Sequence, residues 1–236
     1  MNPLIQLKQS TSIFLVAFGI VSLALLSAPK AFGVNLPPDG CYPNFTTAEG
    51  CNALNSLTTG IGNTGIGWFA LDRNTEGGSN TGVGAAALAL NTADSNTAVG
   101  TTALLLNTTG NTNTAVGRNA LTYNQISSFN NAFGAFALFN NDSDGTGAAE
   151  FNNAHDRNAL LNNVNGDEND ELGDDAMEEN TTGSQNSAPG DDALDGNTTD
   201  SGNVAVGKEA GKSITTGSNN VCIGHNAELA SSTAVT

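Results

Sequence analysis

The sequence is organised around a short string, N-T-A-V-G, whose near-copies return about every 17 residues. The consensus unit is N-T-A-V-G-x-x-A-L-x-x-N-T-T-G-x-x, in which the first asparagine is position 1. A degraded copy at residues 152–159 and a partial copy at Gly50 bring the total to eleven units. The glycines at position 5 are Gly67, Gly84, Gly100, Gly117, Gly134, Gly173, Gly190, Gly207 and Gly224. A fixed period of this kind is typical of repeat architectures, in which each unit packs only against its neighbours.

The unit predicts an all-β fold, a parallel β-roll or β-solenoid of about eleven 17-residue repeats with two short strands each. Apolar residues recur at positions 4 and 9, as at Val99 and Leu104, on segments separated by glycine turns. Known helical repeats are longer, at about 33 residues or more. Stacking should place the position-1 asparagines one above another, where side-chain amides bond along the column. One such coil has a thin core, and alanines at positions 3 and 8 would let another chain approach, so the sequence favours an oligomer.

The first residues have the features of a secretory signal. Residues 1–33 combine Lys8, an apolar run over residues 13–26 and small residues before a cleavage point after Gly33. That run is shorter than the roughly 20 residues needed to span a bilayer, so we expect an extracellular or cell-surface protein without a membrane span once the signal is removed. Residues 34–45 are predicted to form an N-terminal cap segment, and residues 46–236 the repeats.

Three cysteines occur in the chain. Cys41 and Cys51 flank a turn-rich stretch before the repeats, and in an exported chain disulfides persist. We therefore predict a disulfide between them. Cys222 occupies position 3, where alanine stands elsewhere, and is predicted to be a buried free thiol.

The formal net charge is −16 at pH 7, and removal of residues 1–33 takes away two lysines and no acid. Such a charge argues against nucleic acid, whose phosphates require a basic surface, and against docking on anionic lipid. It leaves divalent cations and basic partners as candidates.

The unit, with its Asn-x-Ala-Val/Ile-Gly signature and following alanine, resembles the YadA-like head repeats of trimeric autotransporter adhesins. The resemblance covers residues 46–236 and implies a left-handed parallel β-roll, a homotrimer and adhesion to an extracellular protein or glycan ligand. The stretch of residues 36–54, LPPDGCYPNFTTAEGCNAL, also resembles the start of exported bacterial repeat proteins.

The pattern degrades between residues 141 and 200. Five extra residues fall around residues 141–151, where D-S-D-G-T-G indicates a surface loop, and 16 of the 23 acids lie between Asp142 and Asp200 with Arg157 as the one base. Core positions are predicted to weaken there, because His155 and Pro189 occupy position 4 and Glu171 occupies position 3.

Position 7 of this half carries a candidate metal site. Asp175, Asp192 and Glu209 follow Asn158 on successive units, with no base at the same position. Carboxylate and amide oxygens suit calcium, so these residues are candidate ligands. The alternative is a solvated acidic face on a locally frayed roll, with no cofactor at all.

The sequence favours an exported structural or adhesive repeat protein, a segment of a cell-surface or extracellular fibre that gains strength from multivalent contacts. One alternative is a surface-binding or ice-binding solenoid, since threonines recur at position 13, although Gln125, Asp142 and Val164 interrupt them. Those threonines are Thr75, Thr92, Thr108, Thr181, Thr198 and Thr215. Another alternative, a glycan-processing enzyme, needs carboxylates in a cleft; we predict no enzymatic activity, since no nucleophile-elbow motif or phosphate-binding loop occurs.

Overall fold

The computed structural model describes residues 43–229, so the predicted signal sequence, most of the predicted cap segment and the last seven residues lie outside the described part. A short 3₁₀ helix, Pro43–Phe45, precedes eleven strands of three residues each. The strands are β1 Thr47–Glu49, β2 Thr64–Ile66, β3 Thr81–Val83, β4 Thr97–Val99, β5 Thr114–Val116, β6 Asn131–Phe133, β7 Asn153–His155, β8 Asp170–Leu172, β9 Ser187–Pro189, β10 Val204–Val206 and β11 Val221–Ile223. No helix within residues 43–229 is long and apolar enough to cross a bilayer.

All eleven strands form one sheet in chain order, and each pairs in parallel with the next. The register follows the repeat, so that Thr97 pairs with Thr114 and Val99 with Val116. Because one strand pairs with its equivalent in the next unit, each unit forms one turn of the solenoid. The predicted all-β parallel solenoid is confirmed.

The second predicted strand of each unit is absent from the described turns, and positions 6–11 form turns instead. Non-glycine residues at positions 7 and 9 have positive φ, as at Thr102 (57°) and Leu104 (50°). This left-handed conformation curls the chain too tightly for a strand. Backbone hydrogen bonds still join this segment to both neighbouring turns. Thr102 N donates to Ala85 O in the turn before, and Leu104 N donates to Ala120 O in the turn after.

The hydrophobic core is built from positions 3, 8 and 9. The alanines at positions 3 and 8 and the leucines at position 9 are fully buried, as at Ala98, Ala103 and Leu104. Position 3 must be small: a Cβ added to Gly65 there would lie 3.0 Å from Leu54 Cγ. The alanines are therefore covered within a single chain, so they give no reason for a second chain to pack against them.

Position 4, predicted to be a core position, lies on the outside of the sheet. Val99 is 38% exposed and Ile223 is 70% exposed. Side chains alternate along a strand, so the inward alanine at position 3 forces positions 2 and 4 outward. His155 and Pro189 therefore do not interrupt the core, whereas Glu171, at position 3, is inside it.

Two columns of buried asparagines line the coil beside this apolar core. At position 1, Asn96 Oδ1 accepts from Asn113 N (2.9 Å) while Asn96 Nδ2 donates to Gly110 O (2.8 Å). At position 12, Asn107 Nδ2 donates to Asn91 Oδ1 (2.7 Å) and also to Gly110 O (2.8 Å). The predicted bonding along the position-1 column is confirmed, and the second column was not foreseen. A buried amide without a hydrogen-bond partner raises the free energy of the folded state. Sliding one turn along the next would break these bonds, so both columns hold each turn in register with its neighbours.

The glycine at position 5 is required by a close approach between turns. Gly100 has a φ of 142°, and a Cβ placed there would lie 2.4 Å from Gly117 O. One turn departs from this rule, because Asp156 occupies position 5 with a φ of 93°.

The five-residue insertion forms a loop that the Asp142 carboxylate fixes in place. This carboxylate is fully buried and accepts from Ile126 N (2.7 Å), Ser127 N (3.0 Å) and Gly147 N (2.7 Å). Asp142 thus satisfies backbone donors that the loop would otherwise leave unbonded.

Candidate functional site

The outer sheet face, formed by the side chains at positions 2 and 4 of each strand, repeats its chemistry turn after turn. Over β2–β5 position 2 is always threonine, and position 4 is always isoleucine or valine. These residues are Thr64, Thr81, Thr97 and Thr114, with Ile66, Val83, Val99 and Val116. We call them the threonine–aliphatic face. The in-register pairing places each threonine directly beside the next.

Over β6–β9 position 2 is asparagine, aspartate or serine, and position 4 becomes mixed, with Phe133, His155, Leu172 and Pro189. Asn131 Nδ2 donates to Asn153 Oδ1 (2.8 Å), and Asn153 Nδ2 donates to Asp170 Oδ1 (2.6 Å). The rings of Phe133 and His155 stack with centroids 4.9 Å apart.

A shallow groove of about 340 Å³ lies over β7–β9. Its lining consists of Asn153, His155, Asp170, Glu171, Leu172, Ser187 and Pro189. Because Pro189 lacks a backbone N–H, the pairing of β9 with β10 is reduced to Ser187 and Val204. The regular threonine–aliphatic face therefore gives way to an irregular surface in this half.

The acidic residues at position 7 have cationic partners in the structure. Asp175 accepts from Arg157 Nη2 (2.9 Å) and Asn158 Nδ2 (2.9 Å). Position 7 itself carries no base, but the arginine at position 6 extends across to Asp175 and pairs with it. The hydrogen bond to Asp174 and the charge of Asp175 raise the pKa of the Arg157 guanidinium.

The other two candidate ligands, Asp192 and Glu209, lie beside lysines. Lys212 Nζ lies 3.0 Å from Asp192 Oδ1, and Lys208 Nζ lies 4.0 Å from Glu209 Oε1. The hydrogen bond to Asp192 raises the pKa of the Lys212 ammonium. Among residues 43–229 no three histidine, cysteine or acidic side chains are grouped closely enough to hold a metal ion. Bases thus relieve the like-charge repulsion along this column, which favours the alternative of a solvated acidic face over calcium binding.

Glu171 is a carboxylate inside the core. It is only 3% exposed, lies between Ala154 and Ala188 in the register, and has no hydrogen-bond partner for either oxygen within the described chain. Burial, and then the charge of Asp170, raise its pKa well above the ordinary glutamate range. The sequence prediction of a misplaced core residue is confirmed here.

The threonines at position 13 are not a free hydroxyl array. Thr92 Oγ1 donates to Thr108 O (2.8 Å), and Thr108 Oγ1 donates to Gln125 O (3.0 Å). Thr181 Oγ1 donates to Thr198 O in the same way (2.9 Å). Hydroxyls in three turns thus bond to the next turn, so that part of the column that suggested ice binding has a structural use.

The cysteine predictions divide between described and undescribed residues. Cys222 is buried, as predicted, and burial raises the pKa of its thiol. Cys51 is exposed. Cys41 lies outside the described residues, so its disulfide with Cys51 stays a prediction.

Comparison with known proteins gives no assignment, because no family model, curated protein or solved structure matches the chain. The structure itself defines the class: a parallel β-solenoid repeat protein.

The threonine–aliphatic face could have been predicted from one signal in the sequence. A residue that is glycine, alanine or cysteine in every described strand from β2 to β11 except β8, as at position 3, indicates an inward side chain with outward neighbours.

Proposed function

We propose that the chain is an exported structural or adhesive repeat protein, a segment of a cell-surface or extracellular fibre that contacts other surfaces through its outer sheet face. The supporting observation is the in-register stacking of eleven strands. At roughly 4.8 Å per turn, one contact site recurs along the coil, and weak contacts add through effective concentration. The role is a binding one, without catalysis.

The stiffness of the coil favours such a role. Each turn is joined to the next by backbone bonds and by the two buried asparagine columns. Side chains on this sheet are held in place before they meet a partner, which lowers the entropy cost of binding.

The YadA-like signature supports the finer parts of the proposal, namely secretion, a homotrimer and an extracellular protein or glycan ligand. With the alanines buried inside one coil, a homotrimer would have to pack through the apolar column at position 4, which belongs to the same outer sheet face, so chain association and ligand binding would compete for it. Exposed apolar residues in a row are typical of interaction surfaces, and this column includes Val99, Phe133 and Val206.

Adhesion assays with matched variants test the proposal. The secreted chain would be bound to beads and measured against a panel of extracellular matrix proteins, glycans and mineral surfaces. We expect Val99→Lys, on the outer sheet face, to reduce retention, and Thr109→Lys, exposed on the turn side, to leave it unchanged. Equal retention of both variants on every surface that the native chain binds would contradict the proposal. Light scattering on the same samples gives the number of chains.

A further inference from the structure

The threonine–aliphatic face is a regular grid of hydroxyl and methyl groups. Neighbouring threonines along the coil are roughly 4.8 Å apart, and positions 2 and 4 of one strand are roughly 6.6 Å apart. Thr47 of β1 pairs with Thr64 and so extends the threonine column by one turn, but Glu49 pairs with Ile66, so the uncharged grid begins at β2. The grid ends at β6, where Asn131 and Phe133 replace threonine and valine.

The hydroxyls of this grid are free to bind water. Within residues 43–229, Thr64, Thr81, Thr97 and Thr114 donate no hydrogen bond, unlike the position-13 hydroxyl of Thr92. Their β-branched side chains have few χ1 choices, and all four are half-buried. Each of these threonines lies on a strand that is paired with a neighbouring strand on both sides. The positions of the free hydroxyl groups therefore vary little.

The face is also uncharged on a strongly acidic chain. Its eight side chains carry no ionisable group, and the neighbouring position-17 residues are equally neutral: Gly62, Ser79, Ser95 and Thr112. The acids are concentrated instead between Asp142 and Asp200. A neutral, rigid, repetitive partner complements this face, and a charged polymer or ion does not.

We propose that the threonine–aliphatic face binds ice. The two repeat distances of the grid are close to those between oxygen atoms in planes of the ice lattice. Water held by the hydroxyls and caged around the methyl groups would merge with the crystal surface. The ice-binding surface is formed by positions 2 and 4, and the position-13 threonines are not part of it. Binding of ice would require neither export of the chain nor adhesion to a biological ligand.

The test uses the whole chain without its signal sequence. Thermal hysteresis and partition into a slowly growing ice hemisphere would be measured for the native protein, for Thr97→Tyr and for Thr101→Tyr. Thr97 lies in the middle of the face, whereas Thr101 is exposed beyond the bend at Gly100. Thr81→Lys gives a second position on the face, and circular dichroism checks that each variant is folded.

We expect the native chain to show hysteresis and to enter the ice, Thr97→Tyr and Thr81→Lys to lose both activities, and Thr101→Tyr to keep them. Absence of both activities in the native chain would overturn the proposal, as would equal loss in the control variant. A second copy of the chain is the other candidate partner for this face, and light scattering tests for it. If Thr97→Tyr breaks a native oligomer and no hysteresis is seen, the face is an interface between copies of the chain, and the proposal is wrong.

Discussion

Replacing Glu171 with alanine should stabilise the protein. Every other described strand from β2 to β11 has glycine, alanine or cysteine at this position, and Ala154 and Ala188 flank Glu171 in the register. The variant Glu171→Ala therefore restores the small side chain that fits the core. It also removes two buried oxygens that have no partner within the described chain.

The magnitude follows from the cost of burying an unsatisfied polar group, about 1–3 kcal/mol. Alanine adds no new favourable contact, so the gain comes only from removing the unsatisfied carboxylate. We therefore expect the free energy of unfolding to rise by about the same 1–3 kcal/mol. For a chain of this size each kcal/mol corresponds to roughly 2–4 °C in the unfolding midpoint.

The gain should depend on pH. The pKa of Glu171 is raised in the folded protein above its ordinary value of 4.5, so between these two pKa values the folded state keeps a proton that the unfolded chain releases. The native protein therefore loses stability as pH rises above about 4.5, up to the raised pKa of the folded state. The difference between Glu171→Ala and the native protein should be smallest at acid pH and grow toward neutral pH.

Thermal unfolding followed by circular dichroism between pH 4 and pH 8 would measure this. Glu179→Ala, which removes an exposed acid nearby, controls for the change in net charge. Glu171→Gln keeps the buried polar group but cannot ionise, so its gain should appear only toward neutral pH. A lower midpoint for Glu171→Ala at pH 7, or a difference independent of pH, would refute the reasoning.

Four further outcomes are expected. Asp156→Gly should raise the free energy of unfolding by about 1 kcal/mol in chemical denaturation, because glycine adopts positive φ without strain; Asp156→Ala removes the same charge, keeps the strain and should give no gain. Asn107→Ala should lower the free energy of unfolding by about 1–3 kcal/mol, since three buried groups each lose one hydrogen bond, while Asn55→Ala, at an exposed residue without a side-chain hydrogen bond in the described chain, should have little effect; equal losses would argue against the buried column. Millimolar calcium and a chelator should give the same unfolding midpoint in calorimetry, because Asp175, Asp192 and Glu209 already lie beside bases; a higher midpoint with calcium, absent in Asp192→Asn, would instead establish the metal site. Mass spectrometry of secreted, unreduced protein should find Cys41 joined to Cys51, and alkylation of both thiols would show that they are free.

The solenoid itself was predictable because its period is written in the sequence. A repeat of about 17 residues with a glycine at a fixed place leaves few architectures, and the leucines at position 9 were placed correctly in the core. What the period does not show is the direction of each side chain. Valine at position 4 suggested a core residue, whereas the residue before it, small in every unit except at Glu171, is the one that points inward.

The turn side was harder to predict for a physical reason. Its shape depends on non-glycine residues with positive φ, such as Leu104, and propensities disfavour that conformation. The sequence shows no base at position 7 because the bases beside it belong to other positions of the repeat. Long side chains such as those of Arg157 and Lys212 extend into neighbouring columns.

The buried asparagines also determine where a unit can change its length. In most units the position-1 amide donates to a carbonyl 14 residues further on, as Asn96 does to Gly110. In the 16-residue unit that begins at Asn80 the separation falls to 13, and in the unit with the inserted loop it rises to 19, from Asn130 to Ala149. Both changes fall between position 12 and the carbonyl that closes the turn. Each turn thus has one point at which residues can be gained or lost without shifting any buried column, and new peptide segments grafted there should leave the coil in register.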